Sequence, residues 1–168
     1  MKIAIGADHG GYELKARLLA AFRDCQDMGC YDPEACDYSD YADDVAMAVA
    51  KGDADLGVLV CRTGLGMSMA ANRFQNVRAA LCRTVKDAET ARRHNGANIL
   101  CLGADVTDEK AARDMLTAFI STGVDDTPRH AIRRAKMERA KRLSDFSLLA
   151  SADPEVWAAI DAQVVQED

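Results

Sequence analysis

The chain has 168 residues, enough for one domain with a continuous core and too few for two of ordinary size. With 49% hydrophobic and 29% charged residues it lies outside the disordered range, and a net charge of −6 argues against the broadly basic surface that general nucleic-acid binding needs. The opening MKIAIGADHG breaks at Gly6 and Asp8, too early for a signal-peptide core, and no later run approaches the roughly 18 apolar residues of a membrane span, so a cytoplasmic protein with no membrane partner is expected.

In chain order, residues 3–5 are a strand candidate, after which Tyr12, Leu14, Leu18, Leu19 and Phe22 recur at helical spacing. A strand within residues 25–31 is weakly marked, residues 37–41 read as a polar loop, and residues 42–51 as a helix. The run LGVLVC, residues 56–61, is too short for a typical helix and stops at a Gly-containing turn, which is the pattern of a strand buried on both faces. A helix at about residues 64–72, a strand at 77–81, a helix at 86–94 and a strand at 98–102 follow. Residues 107–120 close the series as a helix with Thr107 as its N-cap.

Strands alternating with helices imply right-handed crossovers and a parallel sheet. The expected class is therefore α/β, a Rossmann-like three-layer αβα sandwich around five strands or slightly more. Beyond Gly123, RHAIRRAKMERAKRL predicts a basic helix, and residues 154–165 another. The expected organisation is one domain over residues 1–143 and a helical extension over 144–168, packed on that domain or on a partner subunit.

Ligands of such sheets bind beyond the carboxyl ends of the strands. That rule puts residues 6–11, 61–66 and 103–105 on one rim. In CRTGLGMSMAANR, Cys61 ends a strand while Thr63, Gly64 and Gly66 turn the backbone into a helix, and such a turn presents N–H groups to an anion. Negative charge on the Cys61 sulfur would be favoured by the same field, making it a base or nucleophile; a small apolar residue closing a strand is the alternative. In GADHGG, Asp8 and His9 project from the same rim, or His9 caps the following helix. In RRHNGAN, His94 and Asn95 end a helix, where an imidazole also suits the helix dipole.

Six cysteines in a cytosolic chain read as thiols, and Cys25, Cys30 and Cys36 lack both CxxC pairing and a neighbouring His, so no metal is expected there. Together, a thiol, imidazoles, an anion-binding turn and clustered arginines suit proton transfer on a phosphorylated substrate.

GADHGG, DYSDYA, CRTGLGMSMAANR, RRHNGAN and RHAIR, in this order and at these separations, resemble the type B ribose-5-phosphate isomerases, a family that also holds galactose- and allose-6-phosphate isomerases. The resemblance covers about residues 1–140. It implies an aldose–ketose isomerase acting on a small sugar phosphate without metal or other cofactor. It also implies a homodimer with active sites shared between subunits, and leaves pairing into tetramers open. By the resemblance Cys61 is the base, His94 opens the sugar ring, Asp8 assists at the hydroxyls, and Thr63 completes the catalytic set. Asn95 and the amides from Arg62 to Gly66, Gly64 included, would hold the enediolate. His9, Arg129 and Arg133 would face the phosphate, and Tyr41 belongs to the substrate-binding candidates. Some family members carry a Glu base six residues after the Cys position; Met67 stands there in this chain.

Two positions depart from the family pattern. Arg62 follows the Cys where a small residue is usual, and Asp105 stands in the turn that usually supplies an Arg to phosphate. Either Arg62 restores the missing positive charge and reshapes the pocket, towards a tetrose phosphate for example, or Arg62 and Asp105 pair at the rim with no change of substrate. Two rival classes remain. A sugar-phosphate-binding module without turnover would need neither Cys61 nor His94. A nucleic-acid patch on the basic helix would want the aromatic interleaving that RHAIRRAKMERAKR lacks.

Overall fold

The computed structural model describes residues 1–143. The predicted helix at 154–165 and the extension as a whole lie outside the described residues. Five parallel strands, β1 (Ile3–Ala7), β2 (Cys25–Asp27), β3 (Leu56–Cys61), β4 (Ala79–Leu81) and β5 (Ile99–Gly103), form one sheet in the order β2-β1-β3-β5-β4. Every residue of β1, β3 and β5 is buried, as strands covered on both faces must be.

Alternation of side chains along these strands splits the core in two. Ile3, Ile5, Val58, Val60, Leu100 and Leu102 point to one face, packing on Leu14 and Leu18 of α1 (Tyr12–Ala21), Ala88 of α4 (Val85–Asn95), and Met115, Leu116 and Phe119 of α5 (Glu109–Ser121). Ala4, Leu59, Cys61, Ile99 and Cys101 point to the other, against Ala42, Val45, Ala46 and Val49 of α2 (Tyr38–Lys51) and Met67, Ala70 and Ala71 of α3 (Leu65–Ala71). This is the three-layer α/β sandwich that the sequence predicts. α6 (Pro128–Leu143) follows as the expected basic helix and packs on α4.

Three expectations shift. α2 begins at Tyr38, so residues 38–41 belong to its first turns and not to a loop. β4 is shorter than expected, starting at Ala79. The N-cap of α5 is Asp108, whose carboxylate accepts the Ala111 amide at 2.7 Å, and not Thr107; a carboxylate there also meets the positive end of the helix dipole. Among the described residues no helix is long and apolar enough to cross a membrane.

Candidate active site

Strand order reverses between β1 and β3, so the loops leaving their carboxyl ends diverge there and leave room for a ligand. Cys61 is the last residue of β3 and only 6% exposed. Its Sγ accepts the Gly64 amide at 3.0 Å. Gly64 can deliver that amide because its backbone is left-handed, φ +74°, where a Cβ would also meet the Leu102 carbonyl at 3.1 Å. A main-chain N–H is thus held in a fixed direction towards the sulfur.

Around this sulfur the rim is built from three segments. Asp8 is buried, with Oδ1 accepting the Gly11 amide at 3.0 Å, which closes the turn into α1. His9 is exposed and its Nδ1 accepts the Cys36 amide at 3.3 Å. Thr63 Oγ1 accepts the Leu65 amide at 3.3 Å, which folds the turn over into α3. Tyr38, missed at the sequence level although it lies within DYSDYA, lays its ring over Gly66, where a Cβ would sit 2.7 Å from ring carbons. Tyr41 packs instead against Gly29, and burial together with the adjacent Cys36 thiol pushes its hydroxyl pKa upward.

Arg62 clasps the rim on the opposite side. Its aliphatic stem lies against Gly10, its Nε donates to Asp105 Oδ2 at 3.2 Å, and its carbonyl accepts the Asp105 amide at 2.9 Å. The two departures from the family pattern therefore pair with each other. A cleft of about 490 Å³ lies on the α1–α5 side of this clasp, lined by His9, Tyr12, Arg17, Arg62, Asp105 and Glu109 among others. Cys61 is not part of its wall, because the sulfur faces the α2–α3 side of the sheet.

His94, Asn95, Arg129 and Arg133 are not on this rim. His94 and Asn95 end α4, which leads into the amino end of β5, whereas Cys61 pairs with Gly103 at the carboxyl end of the same strand. The five residues of β5 separate the two groups by about 16 Å. At the amino rim the His94 ring stacks on His130, with centroids 4.4 Å apart and planes 5° from parallel. Arg134 Nη1 reaches the carbonyls of His94 at 3.3 Å and Asp125 at 2.8 Å, tying α4 to the start of α6. Arg129 and Arg133 are exposed beside them. His130 and Arg134 were not singled out from sequence, although both belong to or adjoin RHAIR.

One chain thus carries two groups of polar side chains at opposite rims: a buried thiol with an aimed amide, a carboxylate and hydroxyls at one, and paired imidazoles with exposed guanidiniums at the other. The first can move a proton on a carbon adjacent to a carbonyl; the second can exchange protons with hydroxyls and bind a phosphate. Among the described residues no three His, Cys, Asp or Glu side chains come together as a metal-binding group.

The sequence profile of the family described as Ribose/Galactose Isomerase matches residues 3–137. Ribose-5-phosphate isomerase B of Escherichia coli K12 is 40% identical over 123 residues, spanning 71% of this chain and 83% of that protein. A 4-deoxy-4-sulfo-D-erythrose isomerase of a Clostridium species is 34% identical over 128 residues, 73% of this chain and 80% of that protein. The crystal structure of a ribose 5-phosphate isomerase from Thermotoga maritima superposes with a TM-score of 0.79 at 42% identity, covering 82% of this chain and 97% of that one.

Proposed function

Because the chain belongs to the ribose/galactose isomerase family, whose relatives are enzymes that interconvert sugar phosphates, we propose that it converts a small aldose phosphate of the ribose 5-phosphate type into its ketose, with Cys61 as the base. The Cys61 thiolate takes the proton from C2 of the open-chain sugar. The C–H electron pair becomes the C1–C2 double bond while the C1 oxygen takes the negative charge. Return of the proton to C1, with transfer of the O2 hydrogen to O1, gives the ketose, and no electrons leave the pair of molecules. Thr63 and the amides of the turn from Arg62 to Gly66 stabilise the enediolate, and removing one such donor costs about 10²–10³ in rate. Asp8 orders the hydroxyls, Tyr41 and Tyr38 wall the mouth, and His9 approaches the phosphate.

The observation that carries this reading is the Gly64 amide donating to the Cys61 sulfur at a strand-order reversal. The opposed rims support a homodimer in which His94, Asn95, Arg129 and Arg133 come from a second copy: His94 to open the ring, Asn95 to hold the enediolate, and the arginines to bind phosphate. Residues 1–143 would be the isomerase unit.

A second reading of the substrate has its own support. Asp105 neutralises Arg62 where a phosphate would otherwise be met, and one relative is named for a four-carbon sulfo-sugar. A shorter aldose phosphate, or another charged tetrose, would fit that change. Turnover of purified protein on four-, five- and six-carbon aldose phosphates, with Cys61→Ala as the blank, separates these readings. Preference for ribose 5-phosphate selects the first, preference for a four-carbon sugar selects the second, and binding without turnover overturns both in favour of a binding module.

A further inference from the structure

The amino rim contains a buried imidazole with no part in the chemistry proposed so far. His130 is only 5% exposed, although α6 is otherwise a strongly basic helix. Its surroundings are built to hold it in one orientation. Arg129 Nη2 lies 3.2 Å from its Nε2, and Asp125 Oδ2 lies 3.6 Å from the same nitrogen. Asp125 is itself fixed: its Oδ1 accepts the Thr127 amide at 2.8 Å, its own amide donates to the Arg93 carbonyl at 2.8 Å, and its carbonyl accepts Arg134. The bond to the Arg93 carbonyl reaches the last turn of α4, which also carries His94. The helix end that carries His94 is therefore tied to the segment that holds His130.

We propose that His130 is a positioning residue for His94: the parallel stack at 4.4 Å fixes the plane in which the His94 imidazole presents its nitrogens to a sugar. Stacking engages ring faces and leaves ring edges to meet substrate. An imidazole held this way loses the rotation about its χ2 bond that an unstacked ring on a helix end would retain, and misplacement of a proton-transfer group is costly because reach and alignment both enter the rate. The charges agree with this arrangement. His94, Arg129 and Arg133 on one hand and Asp125 on the other face His130, and burial first, then the neighbouring His94 and Arg129, pull its pKa below the ordinary value. A neutral His130 can sit against a His94 that gains and loses a proton, whereas two imidazolium rings at this separation would repel.

The inference rests on the ring-opening role proposed for His94, so the test carries His94→Ala alongside His130→Ala and His130→Phe. Each variant is assayed on ribose 5-phosphate, which cyclises, and on erythrose 4-phosphate, whose 4-hydroxyl is esterified and cannot close a ring. His130→Ala should lower kcat on ribose 5-phosphate about tenfold with little change in KM, and leave erythrose 4-phosphate turnover near wild type. His130→Phe, which keeps a flat ring but has no nitrogen, should restore most of the loss. An equal loss on both sugars, no loss on ribose 5-phosphate, or failure of Phe to rescue overturns the positioning role. If His94→Ala itself treats both sugars alike, the ring-opening reading falls, and the inference with it. The His94 ring-proton resonances give a readout independent of turnover. They should carry an upfield ring-current displacement in wild type and His130→Phe that is lost in His130→Ala, and identical resonances in all three proteins would remove the stack from solution.

Discussion

Gly64 donates its amide hydrogen to the sulfur of Cys61 at 3.0 Å, from a backbone with φ +74°. The contact joins the two properties that the proposed base needs. It aims a fixed dipole at a buried sulfur, and it makes that arrangement depend on a residue without a Cβ.

Cys61→Ala should therefore abolish isomerisation by about 10³-fold or more while binding of an unreactive sugar phosphate changes little, since the methyl group replaces only the proton acceptor. Steady-state turnover paired with calorimetric titration of the variant checks this. A variant that binds normally and still turns over within tenfold of wild type would remove Cys61 from the chemistry.

Gly64→Ala should cost stability as well as rate. The left-handed backbone is strained for any L side chain, and the new Cβ would meet Leu81 Cδ1 at 2.5 Å and the Leu102 carbonyl carbon at 3.0 Å. About 1–3 kcal/mol of destabilisation is expected. Denaturant unfolding at matched m-value measures it.

The alternating elements were readable because LGVLVC at β3 and ILCLG at β5 are apolar on both faces, and a strand covered on both sides has no polar periodicity to hide. β2 was not readable in the same way: it has three residues, none of them buried, and sits at the sheet edge. The start of α2 was obscured because residues 37–41 read as a polar loop, and its first turn carries none of the buried residues, which begin at Ala42. For the site, strand polarity placed residues 6–11 and 61–66 together correctly. The same rule sends His94, which precedes a strand, to the opposite rim. The stack of His94 on His130 has no local sequence signal, because it joins side chains 36 residues apart, whereas the pairing of Arg62 with Asp105 could be entertained from sequence only because both positions depart from the family pattern.

Asp105→Asn should release Arg62 from its pairing. Both side chains are largely exposed, at 69% and 47%, so the ion pair contributes little to stability and the melting temperature should move by no more than about 2 °C. The change should appear in substrate recognition: KM for an aldose phosphate should fall several-fold as a carboxylate is removed from the rim. Kinetics at low and moderate ionic strength check the direction, and an unchanged KM would place the pair outside the phosphate's reach.

The capping box of α4 offers a prediction on stability versus pH. Thr84 Oγ1 accepts the Asp87 amide at 3.1 Å, and the Asp87 carboxylate accepts the Arg83 and Thr84 amides, also at 3.1 Å. The Arg83 amide, first, and then Thr84 hold the Asp87 pKa below its usual 3.8. A carboxyl group depressed in the folded state adds stability that is complete above its unfolded pKa and is lost as pH falls through the folded one. Thr84→Ala should cost about 1 kcal/mol, roughly 2–4 °C, at neutral pH. The deficit of Asp87→Ala relative to wild type should shrink as pH is lowered from 5 towards 3. Thermal melts across that range test the sign, and a deficit that grows on acidification would contradict it.

The separation of Cys61 from His94 along β5 makes the sharing of sites between subunits directly testable. Cys61→Ala and His94→Ala proteins, each inactive on a cyclising sugar, are mixed, dissociated and allowed to reassociate. In a two-fold dimer whose sites each take the thiol from one subunit and the imidazole from the other, a mixed dimer holds one site with both residues intact and one with neither. Random reassociation makes about half of the dimers mixed, so recovery of about a quarter of wild-type activity is expected. If each site draws both residues from a single chain, no mixed dimer contains an intact site, and activity stays at the level of the parents. Native mass spectrometry of the mixture, run beside the assay, shows whether exchange took place, because the mixed dimer has a mass between those of the two parents.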